Sequence, residues 1–329
     1  MTRALLLAWF MFGPAGETAA AQAVETTLAE ARSSIDQGRP RDAIQALATL
    51  EPTPAVVLLR GVAHYHADEH VQAIELLRGV VEVLPQGSSE RREAVQVLGL
   101  SLYETGRFQE ALPLLEEART WAGDAPELLH VLGRAYIQTR RADAAREAWA
   151  RTFGVPPDSA AAHLLTGQMM VRLNFEDLAE AELRRAIEKD AKIPQAHYLL
   201  GQIAIFRARF EEGEALTRRE LEVNPGNAMA LHQLGDAFVR QGRWREAIDV
   251  LQKSVWINPY YSAPYILLGK AYGELDRPAT AEGMLRRAVE YDPTNVQAHY
   301  LLGQLLRRNG RADEAARELG LAEQLRDRR

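Results

Sequence analysis

The amino-acid sequence predicts an all-α protein built from tandem helix–turn–helix repeats. A glycine recurs every 34 residues through most of the chain, and a small residue stands twelve positions after each one. Periods of this length are typical of folds in which each repeat is one supersecondary unit. The glycines are Gly99, Gly133, Gly167, Gly201, Gly235, Gly269 and Gly303, and the small residues that follow them are Ala111, Ala145, Ala179, Gly213, Ala247, Ala281 and Ala315.

The same pairing continues upstream, with Gly61 before Ala73 and Ala31 before Ala43, so that the chain divides into nine repeats. The first two repeats depart from the period, because they are 30 and 38 residues long. Residues 86–91 therefore carry a four-residue insertion and are expected to form the longest loop. The repeats begin near Val24, Pro54, Arg92, Pro126, Ala160, Pro194, Ala228, Ser262 and Val296.

Each repeat is expected to hold two helices. Residues 296–309 have apolar side chains at helical spacing, Gly310–Arg311 marks a turn, and a second helical stretch follows. We expect Gly303 in the first helix to meet Ala315 in the second, where a larger side chain would overpack the crossing by ~1–3 kcal/mol. Proline ends a helix because it cannot donate the next backbone hydrogen bond. The prolines that end second helices are Pro85, Pro157, Pro225, Pro259 and Pro293.

This pattern resembles the tetratricopeptide repeat family, whose repeats have a small residue at position 8, Ala at 20, a bulky apolar residue at 24 and Pro at 32. The resemblance covers residues 24–329. It implies a right-handed superhelix, an α-solenoid of about nine helix pairs, in which first helices line a concave groove and second helices form the outside. Position 24 is occupied by Leu77, Leu115, Trp149, Leu183, Leu251, Leu285 and Leu319.

The first 23 residues have the pattern of a secretory signal peptide. Arg3 precedes an apolar run over residues 4–12, and small residues at 19–23 suit cleavage before Gln22 or Val24. The run is far shorter than the ~20 residues that span a bilayer. No later segment of about 18 residues lacks charge. We therefore expect an exported protein, periplasmic or secreted, whose mature chain has no membrane span.

The composition excludes several classes of function. Lys and Arg number 39 against 45 Asp and Glu, a net charge of −6, which disfavours nucleic acid as a partner. There is no cysteine, hence no disulfide, thiolate nucleophile or lipid-modified cysteine. Motifs of nucleotide-binding loops, zinc peptidases and serine hydrolases are missing from the sequence. We therefore expect no enzymatic activity and no cofactor.

The histidines and tryptophans are predicted to pack the scaffold. Three imidazoles and two carboxylates stand within residues 64–70 and could bind a metal ion, but repeat phase favours His64 and His70 as buried packing residues. Five other histidines fall at position 4 or 5 of a repeat, a regularity typical of a scaffold; they are His130, His163, His197, His232 and His299. Three tryptophans on second helices are predicted to be core residues: Trp149, Trp244 and Trp256.

By analogy with the family, positions 2, 5, 9, 12 and 13 of a repeat face the groove. Aromatic faces and amide groups there suit an extended peptide, although rings at position 5 could instead pack against the preceding repeat. The candidate partner-binding residues are Tyr65, Tyr103, His130, Gln168, Gln195, Tyr198, Gln202, Phe206, His232, Asp236, Arg240, Gln297, Tyr300 and Gln304.

The sixth repeat is predicted to be the least stable repeat of the array. It has Gly213, Thr217 and Glu220 where Ala, Leu and Ala are expected. Glycine in a helix interior costs about 1 kcal/mol relative to alanine. A carboxylate in a dry interface is costly as well.

The functional expectation is a non-enzymatic scaffold of the bacterial cell envelope that binds a protein or peptide partner in its groove. Two alternatives stay open. One is a structural protein that self-associates into a homo-oligomer, and the other is an accessory subunit of a polysaccharide-export or secretion machine.

Overall fold

The structure, a computed structural model, describes residues 15–328, with side chains from residue 21. Over that range the chain forms 18 helices and no strand, which confirms the predicted all-α repeat fold. The chain divides into two compact units, one ending at Gly154 and the other beginning at Val155. None of the described helices is long and apolar enough to cross a membrane.

The helices follow one another in pairs, and the two helices of a pair pack against each other. The first unit holds α1 (Ala15–Asp36), α2 (Pro40–Leu47), α3 (Pro54–His66), α4 (His70–Val83), α5 (Ser89–Glu104), α6 (Phe108–Ala122), α7 (Pro126–Gln138) and α8 (Ala142–Phe153). The second unit holds α9 (Ala160–Arg172), α10 (Glu176–Lys189), α11 (Ala196–Phe206), α12 (Phe210–Val223), α13 (Ala228–Arg240), α14 (Trp244–Ile257), α15 (Ser262–Glu274), α16 (Pro278–Tyr291), α17 (Val296–Arg308) and α18 (Ala312–Asp327).

Local signals in the sequence explain where these helices begin and end. The side chains of Asn227 and Asn295 cap α13 and α17 by accepting the backbone N–H three residues later, at 3.0 and 3.1 Å. Helices α4, α12, α14 and α16 each end two residues before a proline. The predicted cleavage site lies within α1. The apolar run of the predicted signal peptide lies in residues 1–14, outside the described range, so the signal peptide stays a prediction.

The expected long loop at residues 86–91 does not form. Ser88 accepts the backbone N–H of Arg91 at 3.1 Å, and α5 begins at Ser89, three residues before the predicted start of that repeat. The inserted residues therefore lengthen a helix, because Ser88 supplies an N-cap that the repeat pattern does not contain.

The helical glycines have a different closest neighbour from the one predicted. A Cβ atom added to Gly235 would lie 2.5 Å from Cγ and Cδ2 of Leu251, the position-24 side chain, and not against Ala247. At Gly303 the same atom would meet Leu319 at 2.7 Å and the Ala315 carbonyl only at 3.2 Å. The glycine is needed because the bulky residue one turn beyond the alanine packs directly over it.

Second helices of the second unit are joined by a recurring ion-pair network. Glu180 accepts hydrogen bonds from Arg184 on its own helix and from Arg209 at the start of the next second helix, at 2.8 and 2.9 Å. The Arg209 guanidinium is the main cause that lowers the pKa of Glu180 to about 2. The same arrangement links Glu214 to Arg218 and Arg243, and Glu282 to Arg286 and Arg311.

Candidate functional site

Six of the predicted groove residues surround one open pocket of about 310 Å³ in the second unit. Three other residues, which were not among the sequence-predicted candidates, complete its lining: Ile205, Gln233 and Tyr261. The six predicted residues are Tyr198, Gln202, Phe206, His232, Asp236 and Arg240.

Helix geometry explains why these side chains meet. On α11, Tyr198, Gln202 and Phe206 are spaced by four residues, so they form one stripe along the helix. On α13, a stripe with the same spacing begins at His232. Both helices are the first helix of their repeats. The pocket therefore lies between two facing stripes, and Tyr261, at the start of α15, closes one side.

The aromatic wall of the pocket is held by a contact between His232 and Tyr261. Their ring centroids are 5.2 Å apart in an edge-to-face arrangement, and the Tyr261 hydroxyl lies 3.2 Å from Nδ1 of His232. Burial lowers the pKa of His232, which Asp236 opposes, and burial raises the pKa of Tyr261. A neutral imidazole beside a protonated phenol lets the hydroxyl donate to Nδ1.

The mouth of the pocket combines an exposed ring with a charged pair. Phe206 is 72% exposed, unusual for so large an apolar side chain. On the facing helix, Arg240 donates from Nε to Oδ2 of Asp236 at 2.8 Å. The charges of this pair balance, so the mouth offers apolar area, hydrogen-bond donors and acceptors without a net charge.

One residue of the pocket lining belongs to a buried polar pair. The Gln233 side chain donates from Nε2 to the Thr217 hydroxyl at 2.8 Å and to the Tyr198 carbonyl at 3.1 Å. Thr217, which is fully buried, donates in turn to the Gly213 carbonyl at 2.7 Å. A Cβ atom at Gly201 would lie 2.7 Å from both Nε2 and the hydroxyl oxygen, so only glycine leaves room for this pair.

Glu220 is also fully buried, but it is not without partners. Its carboxylate accepts the backbone N–H of Gln195 at 3.0 Å and the Asn227 amide at 3.2 Å. Gln195 has a left-handed backbone, with φ of 72°, and α11 begins only at Ala196, two residues after the predicted start of the repeat. These bonds offset part of the burial cost that was predicted for Glu220.

The remaining candidate residues lie elsewhere. Gln168 donates to the Gln195 side chain at 2.8 Å. Gln297 and Tyr300 line a separate open pocket of about 450 Å³, and Gln304 lines another of about 240 Å³. In the first unit, each remaining candidate contacts a neighbouring ring, at centroid distances of 5.3, 5.5 and 5.0 Å: Tyr65 with His66, Tyr103 with Phe108 and His130 with Trp149.

The prediction that Trp256 is a core residue is wrong. Trp256 is 84% exposed, whereas Trp149 is fully buried. On α14 the buried stripe includes Leu251 and Ser254, and Trp256 stands two residues after Ser254. Two residues turn the helix by about 200°, which places the indole on the opposite face.

The histidine cluster of the first unit is held by local contacts. His64 bonds through Nδ1 to Glu69 at 2.7 Å, and the rings of His66 and His70 each contact Tyr65. His64 and His70 are half-buried, while His66 is exposed. Within the described part of the chain, no three His, Asp or Glu side chains are grouped to hold a metal ion.

Comparison with known proteins supports the same fold. Two sequence profiles, both of the tetratricopeptide repeat, match the chain: one at residues 28–89, 198–262 and 266–328, the other at 102–169. The first profile alone covers more than half of the chain. No curated protein sequence matches this chain.

Three solved structures with similar folds are distant from this chain in sequence. The crystal structure of the APC/C hetero-tetramer Cut9–Hcn1 aligns with a TM-score of 0.51 at 13% identity, over 87% of this chain and 56% of that one. MamA from Desulfovibrio magneticus RS-1 aligns at 0.47 and 21% identity, over 52% and 97%. YrrB, a TPR protein with an unusual peptide-binding site, aligns at 0.45 and 19%, over 55% and 93%.

These likenesses concern the fold alone, whereas the sequence profiles and the paired helices identify the family. The chain belongs to the tetratricopeptide repeat family.

Proposed function

We propose that this protein is a non-enzymatic scaffold that holds an extended segment of a partner protein in the pocket between α11 and α13. The family supports a role in protein–protein interaction in general. The observation that carries the specific proposal is the convergence of Tyr198, Phe206, His232 and Tyr261 on one open pocket.

The chemistry of the pocket suits a peptide. Aromatic rings provide apolar area with little conformational entropy to lose, and an exposed ring such as Phe206 gains most from being covered. Gln202 offers both a donor and an acceptor to a peptide backbone. An extended segment exposes its backbone groups and alternate side chains, so it can use both features at once.

A matched pair of variants tests the site. Phe206 and Trp256 are both largely exposed aromatic residues, but Phe206 lines the pocket and Trp256 stands on a second helix. Peptides would be selected from a random dodecapeptide display library against the purified protein. We expect Phe206→Ala to weaken binding of the selected peptides at least ten-fold and Trp256→Ala to leave it unchanged. Equal effects of the two variants would contradict the proposal.

We further propose that the protein is exported to the bacterial cell envelope. The support is the signal-peptide pattern of residues 1–23. Mass spectrometry of the natively expressed protein should find an N-terminus at Gln22 or Val24. An N-terminus at Met1 or Thr2 would contradict the proposed export and indicate a cytoplasmic protein.

A further inference from the structure

One residue that lines the pocket carries a buried acceptor that has no donor. Gln233 is only 7% exposed and lines the pocket, and its Oε1 has no hydrogen-bond partner among the described residues. Buried polar atoms are nearly always paired, so an unpaired one needs an explanation.

The orientation of this amide is fixed by its neighbours. The nitrogen Nε2 faces the Tyr198 carbonyl, which can only accept a hydrogen bond. Exchanging the two amide ends would set two acceptor oxygens against each other. The unpaired atom is therefore the oxygen, and only a donor can satisfy it.

Gln233 also departs from the pattern of its own chain. It stands at position 6 of the seventh repeat. The same position is apolar in the other repeats from the second onward: Leu59, Val97, Val131, Leu165, Leu199, Leu267 and Leu301. An apolar residue serves the scaffold at this position in those repeats; here the amide nitrogen bonds to Thr217 and Tyr198, and the scaffold leaves only the amide oxygen without a partner.

We propose that the pocket takes a tryptophan side chain of the partner segment, with the indole N–H donating to Oε1 of Gln233. This proposal rests on the proposed function and specifies what the pocket recognises. Indole has one donor and no acceptor, so it satisfies Oε1 without introducing an unpaired atom of its own. Its flat apolar faces suit the rings of Tyr198, Phe206 and Tyr261.

The volume is compatible with this ligand. The pocket holds about 310 Å³ and is open on one side, which leaves room for an indole and for the backbone that carries it. Because Oε1 is covered in the free protein, binding requires the atoms over it to move. Side-chain rearrangements of this kind are common when an interface forms.

Two soluble probes that differ in one atom test the proposal on the full protein. N-acetyl-tryptophanamide carries the indole N–H, and N-acetyl-3-benzothienylalaninamide replaces that N–H with sulfur at nearly the same size. Binding is followed by NMR of the pocket residues. We expect the tryptophan probe to bind about ten-fold more tightly, the effect of one buried hydrogen bond. Equal affinities would overturn the proposal but leave peptide binding at the pocket intact.

A variant distinguishes the contribution of the hydrogen bond to probe affinity from that of the pocket's shape. In Gln233→Leu, which restores the residue type of the neighbouring repeats, the two probes should bind equally well. A preference for tryptophan that survives this substitution would overturn the assignment of Gln233. If neither probe shifts the pocket resonances of the folded wild-type protein, the indole proposal fails, and the display experiment then decides separately whether peptides bind there.

Discussion

The side-chain amide of Gln233 donates a hydrogen bond to Thr217 at the place where the next repeat packs Leu251 against Gly235. A buried polar pair between the sixth and seventh repeats thus stands where the next repeat has an apolar contact. Buried polar networks add little net stability when one member stays unpaired. Replacing the Gln233–Thr217 pair with apolar residues therefore tests how much the pair contributes to the stability of the protein.

Restoring the apolar contact should stabilise the protein. We expect the double variant Thr217→Leu with Gln233→Leu to raise the free energy of unfolding by about 1–3 kcal/mol, because it removes the unpaired Oε1 and buries more apolar surface. Urea unfolding followed by circular dichroism measures the change. Gln202→Leu, the same kind of substitution at an exposed position, is the control and should bring no such gain. A double variant less stable than the wild type would show that the polar pair supports the fold.

The sixth repeat should open more readily than the seventh. Gly213 replaces alanine inside α12, which costs about 1 kcal/mol, and hydrogen bonds of Thr217 and Glu220 offset only part of the lost apolar burial. Residues 211–223 should therefore exchange amide hydrogens faster than residues 245–257. Hydrogen exchange followed by mass spectrometry compares the two segments. Equal or slower exchange in 211–223 would mean that the hydrogen bonds of Thr217 and Glu220 fully compensate for the glycine and the lost apolar burial.

Two glycine substitutions should have opposite effects. Gly235→Ala places a Cβ atom 2.5 Å from Leu251, so it should cost ~1–3 kcal/mol, and Gly235→Leu should cost more. Gly283 lies within α16 with no atom within 4 Å of an added Cβ, so Gly283→Ala should gain up to about 1 kcal/mol. Thermal unfolding of both variants measures the contrast. If Gly235→Ala is neutral, the helix crossing is looser than the Leu251 contact indicates.

The network around Glu180 should stabilise the protein in a pH-dependent manner. Its folded-state pKa of about 2 lies below the ordinary value of 4.5, so the stabilisation is complete above pH 4.5 and is lost as the pH falls toward 2. Glu180→Gln should cost roughly 1–2 kcal/mol at pH 7, and this difference from wild type should shrink between pH 5 and pH 3. Urea unfolding at several pH values measures it. A constant difference would exclude ionisation of Glu180 as the cause.

The sequence predicted the fold and much of the pocket for the same reason. The 34-residue period puts Tyr198 and His232 at the same position of successive repeats, and the resemblance to the family predicted that this position faces the groove. The error at Trp256 arose because a bulky residue on a second helix was assigned to the core without regard to its angle from Leu251.

Features that depend on a single local exception were not predicted. Gln233 occupies a core position, and its role depends on contacts with Thr217 and Tyr198 from two other helices. Tyr261 precedes its helix and therefore has no place in a helical stripe. The Ser88 cap could have been recognised from the serine itself, because serine before a polar helical turn is a common helix start.

Site-specific photo-crosslinking in the native host tests the central claim most directly. Benzoylphenylalanine would replace Phe206, at the mouth of the pocket, or Trp256, on a second helix, in otherwise identical strains. The account predicts that position 206 crosslinks to one segment of a partner protein, that this segment contains tryptophan, and that position 256 does not capture it. Capture of the same segment from both positions, or from position 256 alone, would contradict the assignment of the pocket between α11 and α13 as the binding site.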